Sequence, residues 1–418
     1  MSPTNLQDLL EQEYQQRLEV NRLRRLVYEQ PDPSASPQLL DQLQQAEETL
    51  SQIEARRAAA QTADPHASGR ILDTTDRETA LLGAETTGLE VQVHLRMAQV
   101  PTAICHLFDP SGQPLVTCQV RNARKLSPDA SGIRRLRVIS YVDGYSARAV
   151  DTLELPLNKE HPFDQLPTLF PGRVRGVTEL TRATLNVMVE DMDSQRIEVH
   201  KTHPIWLLAR TTAPMAVMDP QSGQWQDMTP YLGAFVTPNA PAVMAFLRVV
   251  VEHHPERQLV GYQGDSSAVE PQVRAIFEAL KAEGQIRYVN SVIAFSPEEG
   301  SATQRVRLPR ESLEHHEANC IDGTVLFASL LEASSLSPAI VVVPGHAFVA
   351  WETWKKSDEW RYLETTMIGD FTFEQACESA EARAMRYAAL PAQPGVFPRF
   401  RRWPLRELRA VRGITPME

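Results

Sequence analysis

Residues 318–352 read ANCIDGTVLFASLLEASSLSPAIVVVPGHAFVAWE. Val325, Leu326, Leu330 and Leu331 fall on one helical stripe, and Asn319 before them suits an N-cap. A helix therefore starts at Cys320 and stops before the Ser/Leu/Pro break. PAIVVV (338–343) then reads as a buried-type strand, and Pro344–Gly345 as a tight turn. HAFVAWETW (346–354) reads as the returning strand, and alternation puts His346, Phe348 and Ala350 on one face. EWRYLETT (359–366) makes a third strand, with Glu364 on the face of Tyr362. Helix, strand, turn, strand and strand in that order predict an α+β unit.

Outward from this stretch the chain changes character several times. Upstream, helices are expected at about 239–254 and 267–284, the second ending in the C-cap-like Gly284, with IRYVNSVIAFS (286–296) as a strand. Before them, LEVQVHL, TAICHLF, PLVTCQV, RRLRVISYV, ARAVDTLEL, RATLNVMVED and IEVHKTHPIWLLA follow one another with turn signals DPSG and SPDASG and no helix between. That pattern predicts an all-β sandwich over 85–212. Its His94, His106, His200 and His203 lack metal-ligand spacing and read as ordinary strand histidines.

At the N-terminus, Leu6, Leu9, Leu10, Leu18, Leu23 and Leu26 have helical spacing, and PDPSASP (31–37) breaks it. Leu39, Leu43, Ala46, Leu50 and Ile53 then repeat at 4-3-4-3 spacing, a heptad seam. Residues 1–56 are thus expected to form a helical hairpin, a coiled-coil spacer or dimerisation arm, and the Ala/Thr/Asp-rich 57–84 a linker. The enzyme-like unit is placed at 213–379. The basic tail 380–418 reads as a strap over a domain, because apolar residues interrupt its arginines. The fold class expected is multidomain α+β: helical hairpin, all-β sandwich and C-terminal α+β domain.

Composition bounds the function. A chain of 418 residues suggests roughly two to four domains. A net charge of −11 argues against a surface that wraps nucleic acid, and no apolar run approaches the roughly 20 residues of a membrane span. MSPTNLQDLLEQEYQQ has no basic start and no apolar core, so no signal peptide is expected. Cys105, Cys118, Cys320 and Cys377 are scattered, without a C-x-x-C pair, which suggests neither a zinc site nor a disulfide framework. Together these point to a cytoplasmic protein with no metal or cofactor.

The chemistry gathers at three residues. At a helix start, orphan amides and the helix dipole favour thiolate over thiol and can hold a developing oxyanion, so Cys320 is a candidate nucleophile. His346 beside the turn can act as base, and Glu364 on the neighbouring strand can orient the imidazole. Taken singly, each is more often a buried thiol, a capping histidine and a solvated acid; their joint order raises the functional reading. His315 and His316 read as exposed residues before the helix, and Asp322 is near Cys320 in sequence only.

Cys320-Ile-Asp-Gly, Gly345-His-Ala-Phe348 and Trp360-Arg-Tyr-Leu-Glu-Thr-Thr366 resemble the transglutaminase-like superfamily of papain-like cysteine enzymes, and Gln304-Arg-Val-Arg-Leu-Pro309 looks like the run before the cysteine in bacterial members. The resemblance covers about 285–370, under a quarter of the chain, and departs at Glu364, where the family usually has Asp. It implies a papain-like fold and a Cys320–His346–Glu364 catalytic triad. It also implies an oxyanion hole made by the Cys320 amide and a second donor, with Gln304 the candidate and Asn290 the runner-up. The activity implied is acyl transfer on a protein or peptide substrate: amide hydrolysis first, with glutamine transamidation or deamidation as the alternative, and no calcium loop is visible. A non-catalytic scaffold is the other class of reading. The N-terminal segments are similar in composition to helical adaptors of bacterial signalling and conflict proteins, which implies a partner protein docking through the hairpin.

Overall fold

The computed structural model describes residues 88–123, 132–218, 225–289, 301–391 and 397–417, together with scattered positions between 12 and 53. Two compact units are present, Met1–Arg77 and Glu78–Glu418. In the first, Gln12, Gln16 and Leu23 are helical, as are Gln42, Leu43, Gln45, Ala46, Glu48, Thr49, Gln52 and Ile53. Leu23 packs with Ala46 and Leu43, and Gln16 Nε2 donates to the Ala46 carbonyl at 3.1 Å. The rest of the expected hairpin and the expected linker 57–84 lie outside the described residues.

The second unit is mixed α+β with several sheets. Its first part packs two sheets face to face. One has the order β1–β3–β6, from β1 (Leu89–Leu95), β3 (Val116–Asn122) and β6 (Glu160–Gln165). The other has the order β2–β8–β7–β4–β5, from β2 (Gln99–Pro101), β4 (Ile133–Val142), β5 (Ala149–Pro156), β7 (Thr181–Asp191) and β8 (Arg196–Leu208). All pairs are antiparallel except β2–β8. Alternate residues point inward, so Val116, Cys118 and Val120 of one sheet meet Leu136, Val138, Leu185 and Ile205 of the other in one core. A short helix α1 (Pro171–Val174) lies between β6 and β7.

One expectation for this part fails, and one strand was not foreseen. TAICHLF is not a strand: Cys105–Leu107 is a single 3₁₀ turn, so Cys105 does not face Cys118 across a ladder. Both thiols are free and buried, and burial pushes each up to about 12. Strand β6, EHPFDQ, escaped the sequence because it lies at a sheet edge: it is polar outside and carries Pro162, which an edge tolerates.

The second part is built around one four-stranded antiparallel sheet, β16–β15–β14–β17. Its strands are β14 (Pro338–Val343), β15 (His346–Glu352), β16 (Trp360–Leu363) and β17 (Arg401–Pro404). Gly345, at φ 71°, supplies the left-handed turn that closes the β14–β15 hairpin. Before this sheet come β9 (Thr212–Met218), β10 (Trp225–Asp227), β11 (Arg287–Tyr288), β12 (Ser301–Arg305) and β13 (Glu317–Ala318), with helices α2 (Pro241–His253), α3 (Val269–Ala282) and α4 (Pro309–His315). Strand β9 sits between β10 and β12, and β11 pairs in parallel with β13.

Helix α5 (Cys320–Ala333) is the centre. Every residue from Ile321 to Leu331 is buried, so it is enclosed on all sides rather than amphipathic as its stripe suggested. It shares the main core with Ile340, Val342, Ala347, Val349 and Trp351 on one face of the sheet. Helix α6 (Phe373–Ala388) brings Ala380 and Ala384 against Val341, Phe348 and Ala350 on the other. The boundary expected at 379/380 therefore falls inside α6. The tail is not a strap over a finished domain. It supplies β17 to the sheet and then α7 (Leu405–Ala410), whose Arg409 donates to the carbonyls of Gly233 (2.9 Å), Val236 (3.0 Å) and Ile414 (2.8 Å) and pairs with Glu332. The two parts are joined by Arg210, which donates to the Thr102 carbonyl at 3.1 Å and to the Met417 carbonyl.

Candidate functional site

Cys320 is the first residue of α5. Asn319 caps that helix: its side-chain oxygen accepts from the amides of Ile321 and Asp322, both at 2.9 Å. The Asp322 carboxylate returns the bond to the Asn319 amide at 3.1 Å, closing a capping box. Asp322 is fully buried, and it also accepts from the Arg307 amide at 2.8 Å and pairs with the Arg307 guanidinium at 2.9 Å. Arg307 continues to Glu317. Burial favours the neutral acid and moves Asp322 up despite these partners. One carboxylate thus ties the chain entering from β12, the residue before Cys320 and the first turn of α5. The sequence placed Asp322 near Cys320 only by number; the sign that could have found it is Asn-x-x-Asp, a capping box ahead of an apolar run.

His346 opens β15 at the rim of the sheet, with its ring stacked on Phe348 at 6.2 Å between centroids. Its Nε2 meets Glu364 Oε2 at 2.6 Å. The Cys320 sulfur also acts on the ring and favours its charged form. Cys320 is half-buried, whereas the side chains of His346 and Glu364 are buried.

Glu364 is not on a strand. It stands just past β16 and caps the 3₁₀ turn Thr365–Met367, with Oε1 accepting from the Thr366 hydroxyl at 2.8 Å and amide at 3.2 Å. Its own amide donates to the Ala376 carbonyl of α6 at 3.1 Å. Arg383 Nε, also from α6, is 3.7 Å from Oε2. That turn packs tightly on α5: a Cβ on Gly323 would meet Thr365 Oγ1 at 2.8 Å, and Thr365 Oγ1 donates to the Cys320 carbonyl at 3.4 Å.

The electrostatics follow from this packing. Burial alone would favour neutral imidazole, but the Glu364 carboxylate and the Cys320 sulfur outweigh it and raise His346 to about 9. Burial would likewise favour neutral Glu364, but His346, Arg383 and Thr366 hold it far below the usual carboxylate range. Imidazolium and carboxylate are therefore the forms present at neutral pH. Such a group can stabilise a negative sulfur and deliver a proton to an atom held beside it.

Gln304 lies half-buried on β12, its amide donating to the Arg305 carbonyl at 3.1 Å. Asn290 lies outside the described residues. His315 ends α4 and His316 follows it at φ 57°; both are exposed, and His316 Nδ1 donates to the Gly284 carbonyl at 2.7 Å. Among the described residues, no group of three or more His, Cys, Asp or Glu side chains is placed to hold a metal ion. Among them, too, no helix is long and apolar enough to cross a membrane. No family model matches the chain, and no curated protein matches it.

Proposed function

We propose that this protein is a thiol-dependent acyl-transfer enzyme of transglutaminase-like, papain-like type, most readily a peptidase acting on protein amide bonds. The observation that carries the reading is one imidazole, His346, held between the Cys320 sulfur at a helix start and the buried Glu364 carboxylate. Cys320 attacks the amide carbonyl as thiolate, and the C–N bond breaks as the imidazolium gives its proton to the leaving amine. The resulting thioester is opened by water, whose proton passes to the now neutral imidazole, releasing the acid and restoring the thiolate–imidazolium pair. Glu364 holds the ring and stabilises its charged form throughout. The Cys320 amide at the start of α5 is one oxyanion donor, and Gln304 the second after turning its amide from the Arg305 carbonyl. The N-terminal helical segment is assigned, in the same proposal, to docking a partner protein, and the setting to a cytoplasmic bacterial signalling or conflict system.

The test is labelling with iodoacetamide at neutral pH. Cys320 should label selectively, Cys320→Ala should abolish the signal, and His346→Ala should slow it roughly tenfold or more. Slow, uniform labelling of all cysteines, indifferent to His346→Ala, leaves a scaffold with no working thiol. Addition of an amine donor and a glutamine-containing protein separates the chemistries: new chain termini mean hydrolysis, incorporated amine means transfer.

A further inference from the structure

Glu364 serves two cations through one oxygen. His346 Nε2 is 2.6 Å from Oε2, and Arg383 Nε is 3.7 Å from the same atom. Oε1 is occupied separately by Thr366. Glu364 is 1% exposed and Arg383 22%, so little water lies between the charges to screen them. Helix α6 brings Arg383 there by register. Ala376, whose carbonyl takes the Glu364 amide, and Arg383 are seven residues apart, two helical turns on one face, so Glu364 lies along that face. On the same helix Glu381 pairs with Arg361 and Glu374 with Arg274. Cys320 from α5, His346 from β15, Glu364 after β16 and Arg383 from α6 thus act on one another in this cluster.

We propose that Arg383 is a positioning residue of this site, a second cation that competes with His346 for Glu364 Oε2 and so sets how firmly the imidazolium is held. The proposal rests on the acyl-transfer reading, in which His346 must both form the ion pair with Cys320 and give its proton to the leaving amine. An imidazolium bound to an undivided, buried carboxylate is a poor proton donor at neutral pH. Sharing that carboxylate with a fixed guanidinium loosens the proton. Because Thr366 already orients the carboxylate, the effect of Arg383 is one of charge more than of placement.

The experiment is a histidine-selective NMR titration of the full chain, with the His346 signal assigned by loss in His346→Ala. Arg383→Gln should move the His346 midpoint upward by roughly half a unit or more, since a repelling cation is removed. Arg383→Lys, which keeps the charge, should return it to the wild-type position, a rescue that a purely structural arginine would not show. Arg383→Met serves where the glutamine variant does not fold. Midpoints that coincide in wild type, Gln and Met variants overturn the proposal, as does an equal shift in the Lys and Gln variants. Iodoacetamide labelling of the same samples keeps the two ideas apart. Selective, His346-dependent labelling with an unmoved midpoint removes the role of Arg383 alone, whereas absent selective labelling removes the acyl-transfer reading.

Discussion

At the scale of single residues, the His346–Glu364 pair makes a pH-dependent contribution to stability. His346 is raised from an ordinary 6.5 to about 9, so its contribution is complete below 6.5 and disappears as pH rises through 9. Glu364 is depressed from 4.5, so its contribution is complete above 4.5 and fades as pH falls below that. The pair therefore stabilises most between 4.5 and 6.5. Glu364→Gln removes the carboxylate and leaves His346 buried without its anion. The gap in melting temperature between wild type and Glu364→Gln, followed by calorimetry, should be widest in that window and shrink toward pH 9. The same variant should slow amide turnover by roughly 10²-fold. A gap that grows steadily with pH, or turnover equal to wild type, would show that Glu364 does not hold the ring. Glu364 reaches the ring from beyond the strand, on a 3₁₀ turn fastened by Thr366 and α6.

At the scale of elements, the close approach of α5 to the turn bearing Glu364 decides whether Cys320 reaches His346. Gly323 permits that approach: an added methyl would lie 2.8 Å from Thr365 Oγ1 and 3.0 Å from its Cβ. Gly323→Ala favours the helix intrinsically, by about 1 kcal/mol, yet forces the two elements apart. The overpacking cost, about 1–3 kcal/mol, should win. Chemical denaturation should show a net loss of about 1 kcal/mol, and Cys320 labelling should slow while the overall fold by circular dichroism is kept. A stabilised variant with unchanged labelling would mean that α5 has room to move. How far the elements were legible differs along this stretch. The start of α5 was readable because Asn319 is a local cap, and β14 and β15 because their apolar runs meet at Pro344–Gly345. The end of β16 was not, because Glu364 leaves the strand through a hydrogen bond to Ala376, twelve residues ahead in another element. Local pattern carries no record of such a bond.

For the whole molecule, the tail and the N-terminal segment make opposite predictions. Deleting 397–418 removes β17 from the edge of the sheet together with Leu405, Leu408 and Ile414 from the main core. It also leaves the carbonyls of Gly233 and Val236 without Arg409. That truncated chain should be insoluble or should label on every cysteine. Deleting 1–80, at the boundary between the two compact units, should leave a soluble protein that still labels at Cys320. Reversal of either result, read by solubility and mass spectrometry of the labelled cysteines, would redraw the domain organisation. The basic tail was expected to lie over a domain because apolar residues interrupt its arginines, but the sequence did not show which groups those arginines meet. In the fold, Arg401 meets Asp227, Arg406 meets Glu352 and Arg409 meets Glu332, partners between 54 and 174 residues away.

Sequence by itself determined the features that short-range physics controls: strands β1, β3, β4, β5, β7 and β8 of the two facing sheets, the helices near 241–253 and 269–282, the cap before Cys320 and the turn before His346. Each depends on residues a few positions apart, so a linear pattern contains the cause. Tertiary structure decided the rest. It enclosed α5 on all sides, made Asp322 and Arg307 the buried fastening beneath Cys320, turned Glu364 off its strand and set Arg383 against the same oxygen as His346. Those arrangements depend on charges and packing surfaces brought together from distant parts of the chain, where burial strengthens every electrostatic contact and fixes which partner each group meets.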